Sequence, residues 1–169
     1  MIVTKQIEID MVHRVPNHKS KCKNFHGHRY KIEVGVDDKV ITTKGNTNEG
    51  MVIDFSDLKH LMMDLIDKNY DHSFVMYKND IYRELFEQIK SGFVLENDEW
   101  ELKGNALKIH FVEFIPTAEN LAKHWFIMLG YELKQLGIQI NHVRVWETPN
   151  STALYTIKNA QEDNVVELE

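Results

Sequence analysis

The chain is poor in the residues that staple, kink or span. It has one cysteine and three prolines in 169 residues. A single thiol cannot close an internal disulfide, which suits a reducing cytoplasm. No apolar run approaches the roughly 20 residues needed to cross a bilayer. The start, MIVTKQIEID, lacks the charged-then-apolar organisation of a secretory signal, so a cytoplasmic location is expected. Positive charge is not in excess either. A formal charge of -6 argues against a general nucleic-acid binder, because neutralising phosphates needs a basic face. Internal repeats, low-complexity tracts and Pro/Gly/Ser-rich linkers are missing. With 43% hydrophobic and 27% charged residues, the expectation is one globular domain over 1–169 with a substantial core.

Against that plain background one stretch stands out: Cys22-Lys23-Asn24-Phe25-His26-Gly27-His28. From His26 the even positions run His26, His28, Tyr30, Ile32, Val34, Val36, and the odd ones carry Arg29, Lys31, Glu33 and Asp37. Side chains of a strand alternate faces, so both imidazoles share the apolar face. A bound metal would explain two inward histidines.

The same alternation places a first strand at 4–13, with Ile7, Ile9, Met11 and His13 on one face. A second strand spans 26–37, and the short polar connection 14–25 makes antiparallel pairing the simplest arrangement. His13 would then lie near His26 and His28. After a Gly/Asn-rich loop at 44–50, residues 54–69 have helical spacing, with Asp54 or Ser56 available as cap. A shorter helix is expected at 79–91, capped by Asn79 and carrying a stripe of Ile81, Leu85, Phe86 and Ile89. Residues 93–104 suggest a turn or small hairpin, and 107–115 a strand. Pro116-Thr117 opens a long helix through Leu136, which Gly137 ends. Strands at 138–147 and 153–157 complete an α+β order.

Three histidines suit zinc, which in catalytic sites commonly has three protein ligands and an open position. Copper or iron would accept the same donors. Hydrogen-bonded structural histidines are the plainer alternative, and His18 is a conceivable substitute ligand. Cys22 lies between Lys21 and Lys23, and nearby cations favour the reactive thiolate. As a fourth ligand it would instead close a structural site; as an inert loop residue it would do neither. Asp71-His72 can form a polarised proton-transfer pair, although such pairs also arise by chance. Glu147 shares the inward face with Val143 and Val145. There it needs a partner, and two adjacent N–H donors on a pterin or guanine edge would serve; an exposed strand end is the other reading. Thr117 and Glu119 open the long helix, as cap and first-turn acid, at a terminus that can also bind polar ligands. The spacing of His26, His28 and Glu33 fits cupin barrels as well. The flanking glycines are absent (Ser20 and Val40 stand there), and two long helices sit badly with an all-β barrel.

Taken together, these motifs resemble the family of 6-pyruvoyl-tetrahydropterin and 6-carboxytetrahydropterin synthases. The matches are His13-Arg14, Cys22-x3-His26-Gly27-His28-x-Tyr30, Gly50-Met51-Val52-x-Asp54-Phe55, Asp71-His72, Pro116 to Ala122, and Glu147-Thr148. They follow the family's order from residue 13 to about 155. The resemblance implies the tunnelling fold: a four-stranded antiparallel sheet with two long helices on one face, in ββααββ order. Here an extra helix falls in a long connection at about 75–106. It implies a homo-oligomer, commonly a hexamer, with active sites between subunits. Zinc would be held by His13, His26 and His28. Cys22 would abstract a proton, Asp71 and His72 would form the second proton-transfer pair, and Glu147 would anchor the pterin with Thr117 and Glu119 alongside.

The implied substrate is 7,8-dihydroneopterin triphosphate. Retention of Cys22 disfavours the branch of the family in which Glu replaces Cys. The approach His18-Lys19-Ser20-Lys21-Cys22 and the helix opening Pro116 to Ala122 look closer to the bacterial carboxy-forming enzymes of 7-deazaguanine and queuosine synthesis. Formation of the pyruvoyl product is the alternative reaction, and a metal-bearing pterin or purine binder without turnover the alternative class. Lys19, Lys21 and Lys23 could meet phosphates or simply form a solvated loop. Met11-Val12 replaces the family's small pair, and Tyr70 replaces a leucine, so the pocket rim and subunit packing are where differences are expected.

Overall fold

The structure is a computed structural model that describes residues 1–89, 93–96, 99–102 and 107–165. Strands β1 (Ile2–His13) and β2 (His26–Asp37) pair antiparallel along their full lengths. The register sets His13 opposite His26 and Met11 opposite His28, because the apolar alternation of both strands must fall on one face. β7 (Gln139–Thr148) pairs antiparallel with β2, and β8 (Ser151–Thr156) with β7.

The sheet does not stop at these four strands. β3 (Ser73–Tyr77) lies parallel to the end of β1, and β6 (Ile109–Val112) lies parallel to β3. The result is a six-stranded mixed sheet in the order β6-β3-β1-β2-β7-β8. This corrects the expected four-stranded antiparallel sheet. The two added strands are short, five and four residues, and 73–77 follows the Asp71-His72 turn too closely for its alternation to be read as a separate strand.

Helix α1 (Phe55–Met62) begins at Asp54, whose carboxylate accepts the Ser56 N–H. A π turn at Met63–Asp67 interrupts the expected continuous helix before α2 (Lys68–Tyr70) completes it. Asn69 accounts for the wider turn: its side-chain amide donates to the carbonyls of Asp64 and Leu65, drawing backbone acceptors out of the regular ladder. α4 (Ala118–Gln135) begins at Thr117, as its sequence indicates. It ends where Gly137 adopts φ +72° and the N–H groups of Gly137 and Ile138 return to Lys134 and Leu133.

Leu58, Met62 and Ile66 from the first helical run and Leu121, Trp125 and Leu129 from α4 join Tyr30, Ile32, Val34, Val143 and Val145 in one buried cluster. Both long helical segments therefore cover the same face of the sheet. A short α5 (Ile157–Glu162), closed by a Thr156–Asn159 capping box, follows β8.

In the long connection, α3 (Arg83–Ile89) starts later than expected. Asn79 is not its cap; its amide donates to the Tyr77 hydroxyl, while Asp80 accepts the Tyr82 N–H. Ile81 therefore lies before the helix. Phe86 is buried, whereas Ile81 and Leu85 are 83% and 54% exposed, so the expected stripe does not face the core; the side chain of Ile89 lies outside the described residues. β4 (Phe93–Glu96) and β5 (Glu99–Leu102) form the small hairpin expected at 93–104.

Candidate functional site

The ends of β1 and β2 bring His13, His26 and His28 together. One ligand nitrogen from each lies within 4.8 Å of the others. Among the described residues this is the group of His, Cys, Asp and Glu side chains with metal-binding geometry. Two of the rings are oriented by backbone. His13 Nδ1 lies 2.6 Å from the Pro116 carbonyl oxygen, and His26 Nδ1 lies 2.9 Å from that of Asn24. A carbonyl only accepts, so both Nδ1 atoms carry the proton and Nε2 is the atom through which either ring would bind a cation. Burial holds His13 below its ordinary value of 6.5, and burial also lowers His28. Near neutral pH both rings are thus in the uncharged form that a metal requires.

Glu147 lies at a bulge in the β7–β8 pairing, between Trp146 and Thr148, a device that re-aims a side chain. Its Oε1 is 3.5 Å from His13 Nε2. The Tyr30 hydroxyl stands between them, 3.0 Å from His13 Nε2 and 3.4 Å from Glu147 Oε1. Burial, with the nearby Glu147 charge, pushes the Tyr30 phenol far up, so it remains a proton donor. No role was expected for Tyr30; its place two residues beyond His28 on the inward face was the available signal.

Cys22 is half-buried on a 3-10 turn (Lys21–Lys23). It lines a cavity of about 230 Å³ with His13, His18, His26, Thr117, Glu119, Glu147 and the start of β8. It is not a member of the three-histidine group. Nor is His18, which bonds Ser20 at the cavity edge. The expected companions Cys22, Thr117, Glu119 and Glu147 thus share one cavity with two of the histidines. Lys19, Lys21 and Lys23 are exposed.

Asp71 and His72 lie elsewhere. His72 has φ +53° and lines a second cavity of about 430 Å³, together with Asp10, His28 and Arg29. Its Nδ1 is 2.6 Å from Asp71 Oδ2, while Asp71 Oδ1 accepts the Asp10 N–H at 2.8 Å. Lys108 Nζ donates to the carbonyls of Lys68 and Asp71, tying off α2 beneath the pair. A third cavity, about 520 Å³, joins Gly27, His28, Arg29 and Lys31 to Trp146, Glu147 and Thr148. Within one chain, Cys22 and His72 therefore face different spaces, with His28 and Glu147 on the borders between them.

A family profile described as 6-pyruvoyl tetrahydropterin synthase matches residues 2–158. The chain belongs to this family. It is 34% identical over 153 residues to the 6-carboxy-5,6,7,8-tetrahydropterin synthase of Haemophilus influenzae, covering 90% of this chain and 96% of that protein. It is 36% identical over 141 residues to the enzyme of the same name from Aquifex aeolicus, covering 80% and 76%. Among solved structures, an uncharacterized protein from Wolinella succinogenes superposes with a TM-score of 0.70 at 24% identity, covering 93% of this chain and 99% of that one. The 6-pyruvoyl tetrahydropterin synthase of Caenorhabditis elegans gives 0.60 at 22% identity, covering 92% and 94%. At these identities the two structures establish the fold, and the sequence relatives point to a tetrahydropterin synthase lyase. No helix among the described residues is long and apolar enough to cross a membrane.

Proposed function

We propose that the protein is a zinc-dependent 6-carboxytetrahydropterin synthase. In this reading 7,8-dihydroneopterin triphosphate and water give 6-carboxy-5,6,7,8-tetrahydropterin, acetaldehyde and triphosphate, a step of 7-deazaguanine and queuosine synthesis. The observation that carries it is the convergence of His13, His26 and His28 beside a cavity that Cys22 and Glu147 also line. The donor set fits zinc: three imidazoles, two presented by carbonyl-held Nδ1–H groups. When bound there, zinc would supply Lewis-acid polarisation of the side-chain hydroxyls of the substrate.

The residues of the chain do the rest. Glu147 accepts two N–H groups from the amino-pyrimidinone edge of the pterin and sets the register of the ring, with Thr117 and Glu119 at the same wall. The Cys22 thiolate takes a side-chain proton. Asp71 holds the Nδ1–H of His72, leaving Nε2 to give or accept the second proton. A 230 Å³ cavity is smaller than the several hundred Å³ that ligand pockets commonly enclose, and Cys22 and His72 face separate spaces. The reading therefore includes a homo-oligomer, a hexamer in its expected form, in which a second copy brings His72 to the Cys22 cavity.

Incubation with dihydroneopterin triphosphate and identification of the product by mass tests the proposal. The carboxy product supports it. The pyruvoyl product, made by triphosphate elimination without carbon loss, would assign the alternative reaction, and tight binding without turnover would make the protein a binder. Measurement of molar mass in solution tests the assembly; a fully active monomer would overturn that part.

A further inference from the structure

The turn that carries Cys22 is braced from an unexpected direction. Arg14, one residue beyond the end of β1, is buried and reaches two ways. Its Nε donates to the Lys23 carbonyl at 2.8 Å, and its Nη1 donates to Asp80 Oδ1 at 2.6 Å. The Val15 N–H also donates to the Cys22 carbonyl at 2.9 Å. Two consecutive residues after His13 thus grip two consecutive carbonyls of the Cys22 turn.

Asp80 belongs to the long connection and not to the sheet. Its side chain is fully buried, and its Oδ2 has no hydrogen-bond partner among the described residues. A buried carboxylate with one oxygen unsatisfied is costly, and such a pair is weak support for stability in itself. What it does is fix the guanidinium, whose planar fork can hold two acceptors at set angles. The same segment closes over the pair. Tyr82 lies 4.8 Å and Phe25 5.6 Å from the Arg14 Cζ, and Phe86 stacks on Phe25 at 5.1 Å. Both ends of the connection that contains Cys22 are therefore clamped by residues 80–86.

We propose that Asp80, acting through Arg14, is a positioning residue that fixes the Cys22 turn at the edge of the three-histidine cavity. The proposal rests on the proposed function only for the chemical role of Cys22. The long connection thereby contributes to the site without touching substrate.

Because Cys22 is the sole cysteine, alkylation of the native protein by iodoacetamide reports on this turn alone. In Asp80→Ala the thiol should alkylate several-fold faster. In turnover of dihydroneopterin triphosphate, kcat should fall by roughly 10–100-fold while KM moves little, as expected for a misplaced reacting group. Asp80→Asn keeps an acceptor oxygen at the same reach and should restore most of both values. Removing Asp80 strands a buried guanidinium, so Asp80→Ala can fail to fold. Arg14→Lys then decides: it keeps the charge beside Asp80, but one ammonium cannot reproduce the fork to Lys23, and the same acceleration is expected. Native alkylation rates in a folded Asp80→Ala or Arg14→Lys protein would overturn the positioning role. Faster alkylation in a protein that, unmutated, makes no pterin product would leave Asp80 as the brace and discard the proposed reaction.

Discussion

The three-histidine corner and the Asp71–His72 pair are built to opposite specifications. His13 is 1% exposed, held between the Pro116 carbonyl and the Tyr30 hydroxyl. The side chain of His72 is 78% exposed, with Nδ1 held 2.6 Å from Asp71 Oδ2. The first is preorganised by strands that pair over 12 residues. The second is preoriented but exposed, standing on a tight turn with a left-handed residue at the rim of a cavity. Under the proposed function, one half of the site is fixed within the chain and the other half is presented outward, as completion by a second copy would require. The contrast can be attacked from either side.

The largest effect is expected from the preorganised corner. His26→Ala and His28→Ala should each remove one of three ligands and abolish stoichiometric metal, measurable by elemental analysis of the purified protein, with turnover lost as well. His72→Ala should leave metal content intact. Full zinc occupancy in both ligand variants would refute the ligand assignment.

Next come the two proposed proton-transfer groups. Cys22→Ala and His72→Ala should each lower kcat by about 10²–10⁴-fold, the usual range for a positioned acid or base, while metal and fold persist. If the halves belong to different copies, mixing the two inactive variants and allowing subunits to exchange should restore part of the activity. Mixtures that stay inactive after demonstrated exchange would return both groups to one chain or remove one of them from the chemistry.

Much of this corner was legible before any coordinates. Period-two alternation in 4–13 and 26–37 fixed which histidines share a face, and the short 14–25 connection fixed their antiparallel pairing. The cap at Thr117 and the stop at Gly137 followed from local chemistry. The outward half was not legible in the same way. β3 and β6 are held by parallel pairing to distant segments, which leaves little periodic trace in so few residues. The π turn depends on Asn69 bonding backwards to Asp64 and Leu65, and the late start of α3 depends on Asp80 turning inward to Arg14. The π turn is a local side-chain bond to the backbone and the late start a tertiary contact, and both override a regular helical pattern. The roles of the carbonyls of Asn24 and Pro116 are likewise visible only when the strands are assembled.

A smaller effect is expected at the border between the halves. Glu147→Gln keeps the shape of the side chain but replaces one acceptor oxygen with a donor. It should weaken pterin binding by about 1.5–3 kcal/mol, the range for a hydrogen bond to a charged group, read by titration with a non-reacting pterin. The melting temperature should move much less, because the carboxylate is partly exposed and its neighbours Tyr30 and His13 keep each other as partners. Equal losses in binding and stability would make Glu147 a structural residue of the bulge.

The smallest effect is the pH dependence of the metal-free protein. Burial lowers His13 and His28, and outside the corner His124, from their ordinary value of 6.5, so the unfolded chain takes up their protons before the folded one does. Stability should therefore be level above about pH 7 and decline as pH falls through the unfolded value toward the depressed folded ones. In a chain of this size each kcal/mol lost lowers Tm by about 2–4 °C. Asp10 and Asp163 are also lowered, by their partners Arg29 and Lys123, but those carboxylates lose stabilisation only as pH falls through their ordinary 3.8 and below. The two contributions are thus separated along the pH axis. Added zinc should delay the first decline, because protons must then displace a ligand that binds only the folded, neutral rings. A metal-free melting curve that stays level from pH 7 to pH 5 would mean that the buried corner accepts its protons without cost, and burial would no longer account for its neutral rings.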